Sequence, residues 1–241
     1  MTFGSLFAGI GGFDLGFERA GMTCEWQVEI DPYCTRVLTK HWPNVRRWDD
    51  VRTFPPAGEW GVDVICGGFP CIDISSSGKK AGIAGKHSGL WREFSRVICQ
   101  LRPRVVVVEN VADLAHRGLD RVLADLAESG FDAEWDVLPA CAFGIPQRRE
   151  RLFIVANARS RGCQGSEKRD SQGANDQGWN YRDGLALAER RARDARSWVR
   201  RAVDGIPGRV HRLRVCGNAV VPQVAEWIGR RIIDLERTPT P

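Results

Sequence analysis

The 241-residue chain reads as an α/β protein with a doubly wound, mostly parallel sheet, and three observations carry that expectation. Short β-rich runs alternate with amphipathic helical stretches from the N-terminus to about Ala156. Val105-Val106-Val107-Val108 is an unbroken apolar run of the kind buried on both faces of a parallel sheet. A glycine turn, Phe7-Ala8-Gly9-Ile10-Gly11-Gly12, joins the first strand to the first helix, as in folds that cradle a nucleotide-like ligand.

Taken in order, Thr2 to Ala8 is a strand, and Phe13, Leu15, Phe17 and Ala20 mark a helix stopped by Gly21. Glu25 to Ile30 is the second strand. It ends in Glu29, where such folds hold ribose hydroxyls and where a solvated acid is equally at home. Asp31-Pro32 starts a helix running to about His41, with Asp as cap and Pro in the first turn. Asp50 suits either an adenine amino group or a helix cap. Val62 to Cys66 is a buried strand that delivers Pro70 and Cys71 to its carboxyl edge. A cysteine there suits a nucleophile fixed in place before substrate arrives, or simply a small apolar residue.

The polar stretch from Asp73 to Ser88 carries Ser75, Ser76, Ser77, Gly78, Lys79 and Lys80, suited to a phosphate backbone or to an idle surface loop. Leu90 to Gln100 is helical and stops before Pro103. The valine strand then ends in Glu109-Asn110. Leu119, Val122, Leu123 and Leu126 give a helix closed by Gly130, and strands follow at Glu134 to Leu138 and Leu152 to Ala156. Arg148, Arg149 and Arg151 stand at the entrance of the last of these. The C-terminal helix presents Val224, Ile228, Ile232 and Leu235 as its apolar face.

A 43% hydrophobic composition is enough for one sizeable core, which predicts one domain with an appendage. No apolar run is long enough to span a bilayer and no signal-peptide pattern opens the chain, so a cytoplasmic protein without a membrane partner is expected. Eight scattered cysteines without metal-like spacing predict free thiols and no metal. The net charge is +5, and Asn157 to Gly205 holds eleven Lys and Arg against seven Asp and Glu. That excess fits a polyanion or a solvated surface.

Separated motifs then fall in one order: FAGIGG at Phe7 to Gly12, the Glu29 strand end, Asp50, GFPC ending at Cys71, ENV at Glu109 to Val111, QRRER at Gln147 to Arg151, and GNAVVP at Gly217 to Pro222. Together they resemble the cytosine-5 DNA methyltransferase family over about Thr2 to Ala156 and Arg209 to Ile233. The resemblance implies a Rossmann-like methyltransferase sheet made from residues 1–156 and 209–241, with a small, partly irregular target recognition insert at 157–208. It implies S-adenosylmethionine as cofactor and double-stranded DNA as substrate. A monomer is the default for an enzyme acting on one base at a time.

Carried across residue by residue, Cys71 resembles the nucleophile and Glu109 the acid at the cytosine N3 edge, while Arg149 and Arg151 resemble the arginines that steady the base and a neighbouring phosphate. Phe7, Gly9, Ile10, Gly11 and Gly12 would line the cofactor. Glu29 would take its ribose, Ile30 a face of its adenine and Asp50 the adenine amino group, with Pro70, Leu90, Asn218 and Val220 completing the pocket. The C-terminal helix would then return to the first strand. Ser75, Ser77, Lys79, Arg148, Arg190, Arg191 and Arg200 are the DNA contacts this reading expects, mostly to phosphate.

The chemistry accounts for these residue types. Cytosine C5 becomes nucleophilic only after a thiolate adds at C6 and N3 is protonated, and C6 is unreachable unless the base leaves the stack. Ile72 departs from the family, which commonly has glutamine after the nucleophile. The interval before Gly217 is also short for a recognition domain, which implies a reduced module or a very short target. The competing readings are an RNA cytosine-5 methyltransferase, a catalytically inactive DNA-binding relative, and a nicotinamide dehydrogenase. The last leaves PC, ENV and GNAVVP unexplained.

Overall fold

The computed structural model describes residues 1–56, 58–70, 88–159 and 215–237. Five strands run parallel: β1 (Thr2–Leu6), β2 (Thr23–Val28), β3 (Arg46–Trp48), β4 (Val64–Gly67) and β5 (Val105–Val111). With β6 (Phe131–Pro139) and β7 (Glu150–Ala158) they form one sheet in the order β3-β2-β1-β4-β5-β7-β6. Only β7 runs against the rest, paired antiparallel with both β5 and β6. β3 is the further strand expected to end at Asp49-Asp50, whose extent the sequence did not give.

The β1 to β4 pairing is where the strand order reverses, and the carboxyl ends of two such strands are where open α/β sheets form a ligand-binding crevice. Their ends lie abreast, Leu6 beside Gly67. A Cβ on Gly67 would lie 2.3 Å from the Leu6 carbonyl oxygen, so only glycine lets the two ends approach this closely. The turn after β1 and the turn after β4 therefore leave the sheet side by side.

Alternation along the strands feeds two cores. On one face Leu6, Trp26, Ile65, Val106 and Val108 pack against α3 (Trp91–Leu101) and α4 (Leu119–Glu128). On the other, Phe3, Cys66, Val105 and Val107 pack against α1 (Gly12–Arg19) and α5 (Pro222–Arg237). Val105 to Val108 are all at most 2% exposed, each side chain worth about 1.5–3 kcal/mol of burial. α2 (Pro32–His41) begins as expected: Asp31 caps it by accepting from the Tyr33 and Cys34 amides at 2.8 and 3.2 Å.

α5 does return to the start of the chain, pressed against α1 where Gly16 and Gly229 leave room for a close helix crossing. Val224, Ile228 and Ile232 are buried as expected, but Leu235 is not. It is 72% exposed, because α5 has 16 residues and α1 only eight, so the last turns of α5 outrun their partner.

Among the described residues no helix is long and apolar enough to cross a membrane, and no cluster of three or more His, Cys, Asp or Glu could hold a metal. Cys24, Cys34, Cys66, Cys99, Cys141 and Cys216 are free thiols. Cys71, Cys163 and most of the expected insert at 157–208 lie outside the described residues.

Candidate active site

The turn after β1 is built from left-handed backbone: φ is +53° at Phe7, +58° at Gly9 and +84° at Gly11. Phe7 is the costly one, since a residue with a Cβ rarely adopts this conformation. Its ring is held by stacking on Phe94 at 6.3 Å. Gly12 is required by packing, because a Cβ there would lie 2.3 Å from the Val220 carbonyl oxygen. That contact brings Val220, from the far end of the chain, to the glycine turn.

Across the turn, the Glu29 carboxylate accepts from the Gly9 amide and the Asp31 amide, both at 2.7 Å. Burial raises its pKa despite these bonds. A carboxylate with two acceptor oxygens suits a pair of vicinal hydroxyls. Ile30, the next residue, is 64% exposed, an apolar side chain available to a flat ring at the crevice mouth. Asp50 caps a short 3-10 turn by accepting from the Arg52 amide at 3.0 Å. It also pairs with the Arg52 guanidinium at 2.6 Å, which lowers its pKa. The capping role left open by the sequence is thus filled. Leu90 ends the turn that leads into α3, and Asn218 is exposed in the segment before α5.

The turn after β4 is governed by β5. Asn110, 2% exposed, donates from Nδ2 to the Phe69 carbonyl at 3.1 Å, which fixes the approach to Pro70. The neighbouring Glu109 is 6% exposed, and its carboxylate fills the space above Gly68, where a Cβ would lie 2.6 Å from Oε2. Arg151 of β7, which pairs with Val111 of β5 in the antiparallel register, brings Nε to 3.0 Å from Glu109 Oε1. The contact is an ion pair between a guanidinium and a carboxylate. Burial pushes the Glu109 pKa up to about 7, against the pull of Arg151 and Arg149. A carboxyl poised near neutrality can hold a proton and surrender it.

Arg149 does something the sequence did not foretell. Its guanidinium donates to the carbonyls of Gly217 and Ala219, the latter at 2.7 Å, and so fastens the start of β7 to the segment carrying Asn218 and Val220. Arg148 has a 72% exposed side chain, paired with Glu150 at 3.2 Å. Cys71, Ser75, Ser77, Lys79, Arg190, Arg191 and Arg200 lie outside the described residues. Gly68 and Asn110 were missed as functional residues. The signal for Asn110 was its place beside Glu109 at a strand end, whereas nothing in sequence spacing marks Gly68 as the seat of a carboxylate.

A family model described as C-5 cytosine-specific DNA methylase matches residues 1–190. Type II methyltransferase M2.BsuMI of Bacillus subtilis is 35% identical over 164 residues, 64% of this chain and 41% of that protein. Type II methyltransferase M.Eco47II of Escherichia coli is 38% identical over 161 residues, 63% and 38% of the two chains. Type II methyltransferase M.HhaI of Haemophilus parahaemolyticus is 32% identical over 163 residues, 64% and 48%. The matched stretch thus spans two fifths to one half of these relatives. Among solved structures, Entamoeba histolytica methyltransferase EhMeth superposes with a TM-score of 0.56 at 15% identity, covering 69% of this chain and 55% of that one. A mutant of Spodoptera frugiperda DNMT2 gives 0.54 at 18%, covering 70% and 53%. At these identities the two structures speak for the fold.

Proposed function

Because the chain belongs to the C-5 cytosine-specific DNA methylase family, we propose that it transfers a methyl group from S-adenosylmethionine to C5 of a cytosine flipped out of double-stranded DNA. The observation that carries this reading is the Glu109 carboxyl: buried, paired with Arg151, held near neutral pKa, and seated over Gly68 three residues before Cys71.

The crevice fits the cofactor. Glu29 offers a partly buried carboxylate for a ribose, Ile30 an exposed apolar side chain for the adenine, and the glycine turn a backbone that a ligand can approach. Phe7, Gly9, Ile10, Gly11, Gly12, Glu29, Ile30, Asp50, Pro70, Leu90, Asn218 and Val220 would hold it. When bound, it supplies a sulfonium methyl, an electrophile for C5.

The rest belongs to this chain. The Cys71 thiolate adds to C6, forming the S–C6 bond and pushing the C5=C6 electron pair toward C5. Glu109 places its proton at N3, neutralising the charge the ring would otherwise carry. Arg151 keeps the Glu109 carboxyl facing the base and balances its charge once the proton has gone. After C5 is alkylated, a base removes the C5 proton, the C5=C6 bond re-forms, the Cys71 thiolate leaves and N3 returns its proton to Glu109. Residues 1–156 and 209–241 would form the catalytic domain and 157–208 the recognition region.

An oligonucleotide duplex carrying 5-fluorocytosine tests this, since fluorine at C5 blocks the final proton removal and traps the S–C6 bond. With S-adenosylmethionine the full chain should form a covalent complex resolved on a denaturing gel, and Cys71→Ala should abolish it. Failure of the wild-type chain to form the adduct on any cytosine-containing duplex, or adduct formation on transfer RNA alone, overturns the reading.

A further inference from the structure

Asp14 lies in the first turn of α1, 0% exposed, and the chemistry above gives it no task. Its Oδ1 accepts from Ser5 Oγ of β1 at 2.9 Å and from Gln27 Nε2 of β2 at 2.8 Å, with the Cys24 thiol at 3.4 Å. Its Oδ2 has no hydrogen-bond partner among the described residues. Gln27 is fully buried too, and its Oε1 accepts from Arg47 Nη1 of β3 at 3.0 Å. The same nitrogen donates to the Trp42 carbonyl, just past α2, at 2.7 Å. One carboxylate oxygen thus gathers β1, β2 and α1, and the Gln27 amide passes the connection on to β3 and to the residue capping α2.

The location of the network assigns it a role. Ser5 is two residues before Phe7, Gln27 two before Glu29, and Arg47 three before Asp50. The three strands are joined just before each delivers a residue to the proposed cofactor pocket. The Trp42 ring, whose backbone Arg47 holds, presses on the glycine turn: a Cβ on Gly11 would lie 2.4 Å from it. A buried carboxyl with one bare oxygen is a poor way to stabilise a core, since apolar side chains of similar volume would serve as well or better. Its directional bonds instead fix how three strand ends sit relative to one another.

We propose that Asp14, Gln27 and Arg47 are positioning residues for cofactor binding, locking the carboxyl ends of β1, β2 and β3 in the register that the cofactor requires. The proposal rests on reading the crevice as the S-adenosylmethionine pocket. None of the three touches the cofactor, so cutting the network weakens binding of ground state and transition state alike. That raises KM for the cofactor and leaves kcat at saturation unchanged.

The test uses the full chain: calorimetric titration with S-adenosylmethionine, steady-state methyl transfer to duplex DNA, and thermal unfolding. Asp14→Ala and Arg47→Met should each weaken cofactor binding about tenfold, with kcat at saturating cofactor within about threefold of wild type. Asp14→Asn keeps an Oδ1 acceptor for all three donors and should recover binding to within about threefold of wild type. If Asp14→Ala does not fold, the partly exposed Arg47→Met carries the test. Variants that bind as wild type does, or that lose kcat while the dissociation constant stays put, overturn the positioning role alone. A wild-type chain that binds no S-adenosylmethionine overturns this role together with the proposed function.

Discussion

Glu109 is pulled both ways at once: its buried seat favours the proton and two arginines favour its loss, leaving a pKa of about 7 against an ordinary 4.5. Since the folded value is raised, the stability it confers is fully present below pH 4.5 and is lost as pH climbs through about 7, a span worth about 3 kcal/mol. Glu109→Gln cannot ionise, so it should flatten this part of a denaturation-versus-pH profile. On the proposed function, catalysis follows the same proton. Single-turnover methyl transfer should fall above about pH 7 as Glu109 ionises. Glu109→Gln should lose about 10²–10⁴-fold in rate and lose that descending limb. A wild-type rate that keeps rising through pH 9 would remove Glu109 as the acid. Gly68→Ala tests the same carboxyl sterically. The new Cβ meets Oε2 at 2.6 Å, the movable end of a side chain, so the fold should survive with little change in Tm while the rate drops at least about tenfold as the carboxyl is displaced. A large loss of Tm with an unchanged rate per folded molecule would show that Gly68 serves packing instead.

At the level of elements, β5 controls the turn after β4 through one side chain. Asn110→Ala removes the donor to the buried Phe69 carbonyl, which should cost about 1–3 kcal/mol in a denaturant melt. It should also lower kcat more than it raises KM for either substrate, because Pro70 and Cys71 follow directly from that carbonyl. An Asn110→Ala variant with wild-type kcat would break this link between β5 and the approach to the proposed nucleophile. Much of this frame was legible from the sequence because it rests on local physics. The valine run of β5, the Asp31-Pro32 start of α2 and the glycine turn after β1 each announce themselves within a few residues. β3 is only three residues long, Arg46–Trp48, too short for a period of two to show. The reversed direction of β7 depends on pairing across the sheet, and no residue type in it encodes a direction. Leu235 keeps the helical spacing of its neighbours, yet its exposure is decided by the length of α1, a different part of the chain. The clasp of Arg149 on Gly217 and Ala219 joins residues nearly 70 positions apart, and the Asp14 network joins four elements. Such contacts become readable only once topology has brought their members together.

For the molecule as a whole, the proposed function raises the question of how such a chain would recognise its DNA. The stretch between β7, which ends at Ala158, and the motif that opens at Gly217 is about the length of the smallest domains that bury a core of their own. On the proposed function, the basic excess of Asn157 to Gly205, eleven Lys and Arg against seven Asp and Glu, would serve phosphate contacts, which hold DNA without specifying its sequence. Binding dominated by phosphate contacts releases counterions, so the affinity for duplex DNA should fall steeply with salt. The slope of log K against log salt should be about −0.9 for each phosphate neutralised, and much the same for unrelated sequences of equal length. Replacing Arg190, Arg191 and Arg200 together should make that slope shallower by two to three such steps, about −0.9 each, while leaving the methylated motif as it was. Methylation mapped genome-wide should then fall on a very short or degenerate site. A single long, strict motif, with binding to other sequences at least about a thousandfold weaker at the same salt, would mean that this interval reads base edges and that its arginines specify as well as hold.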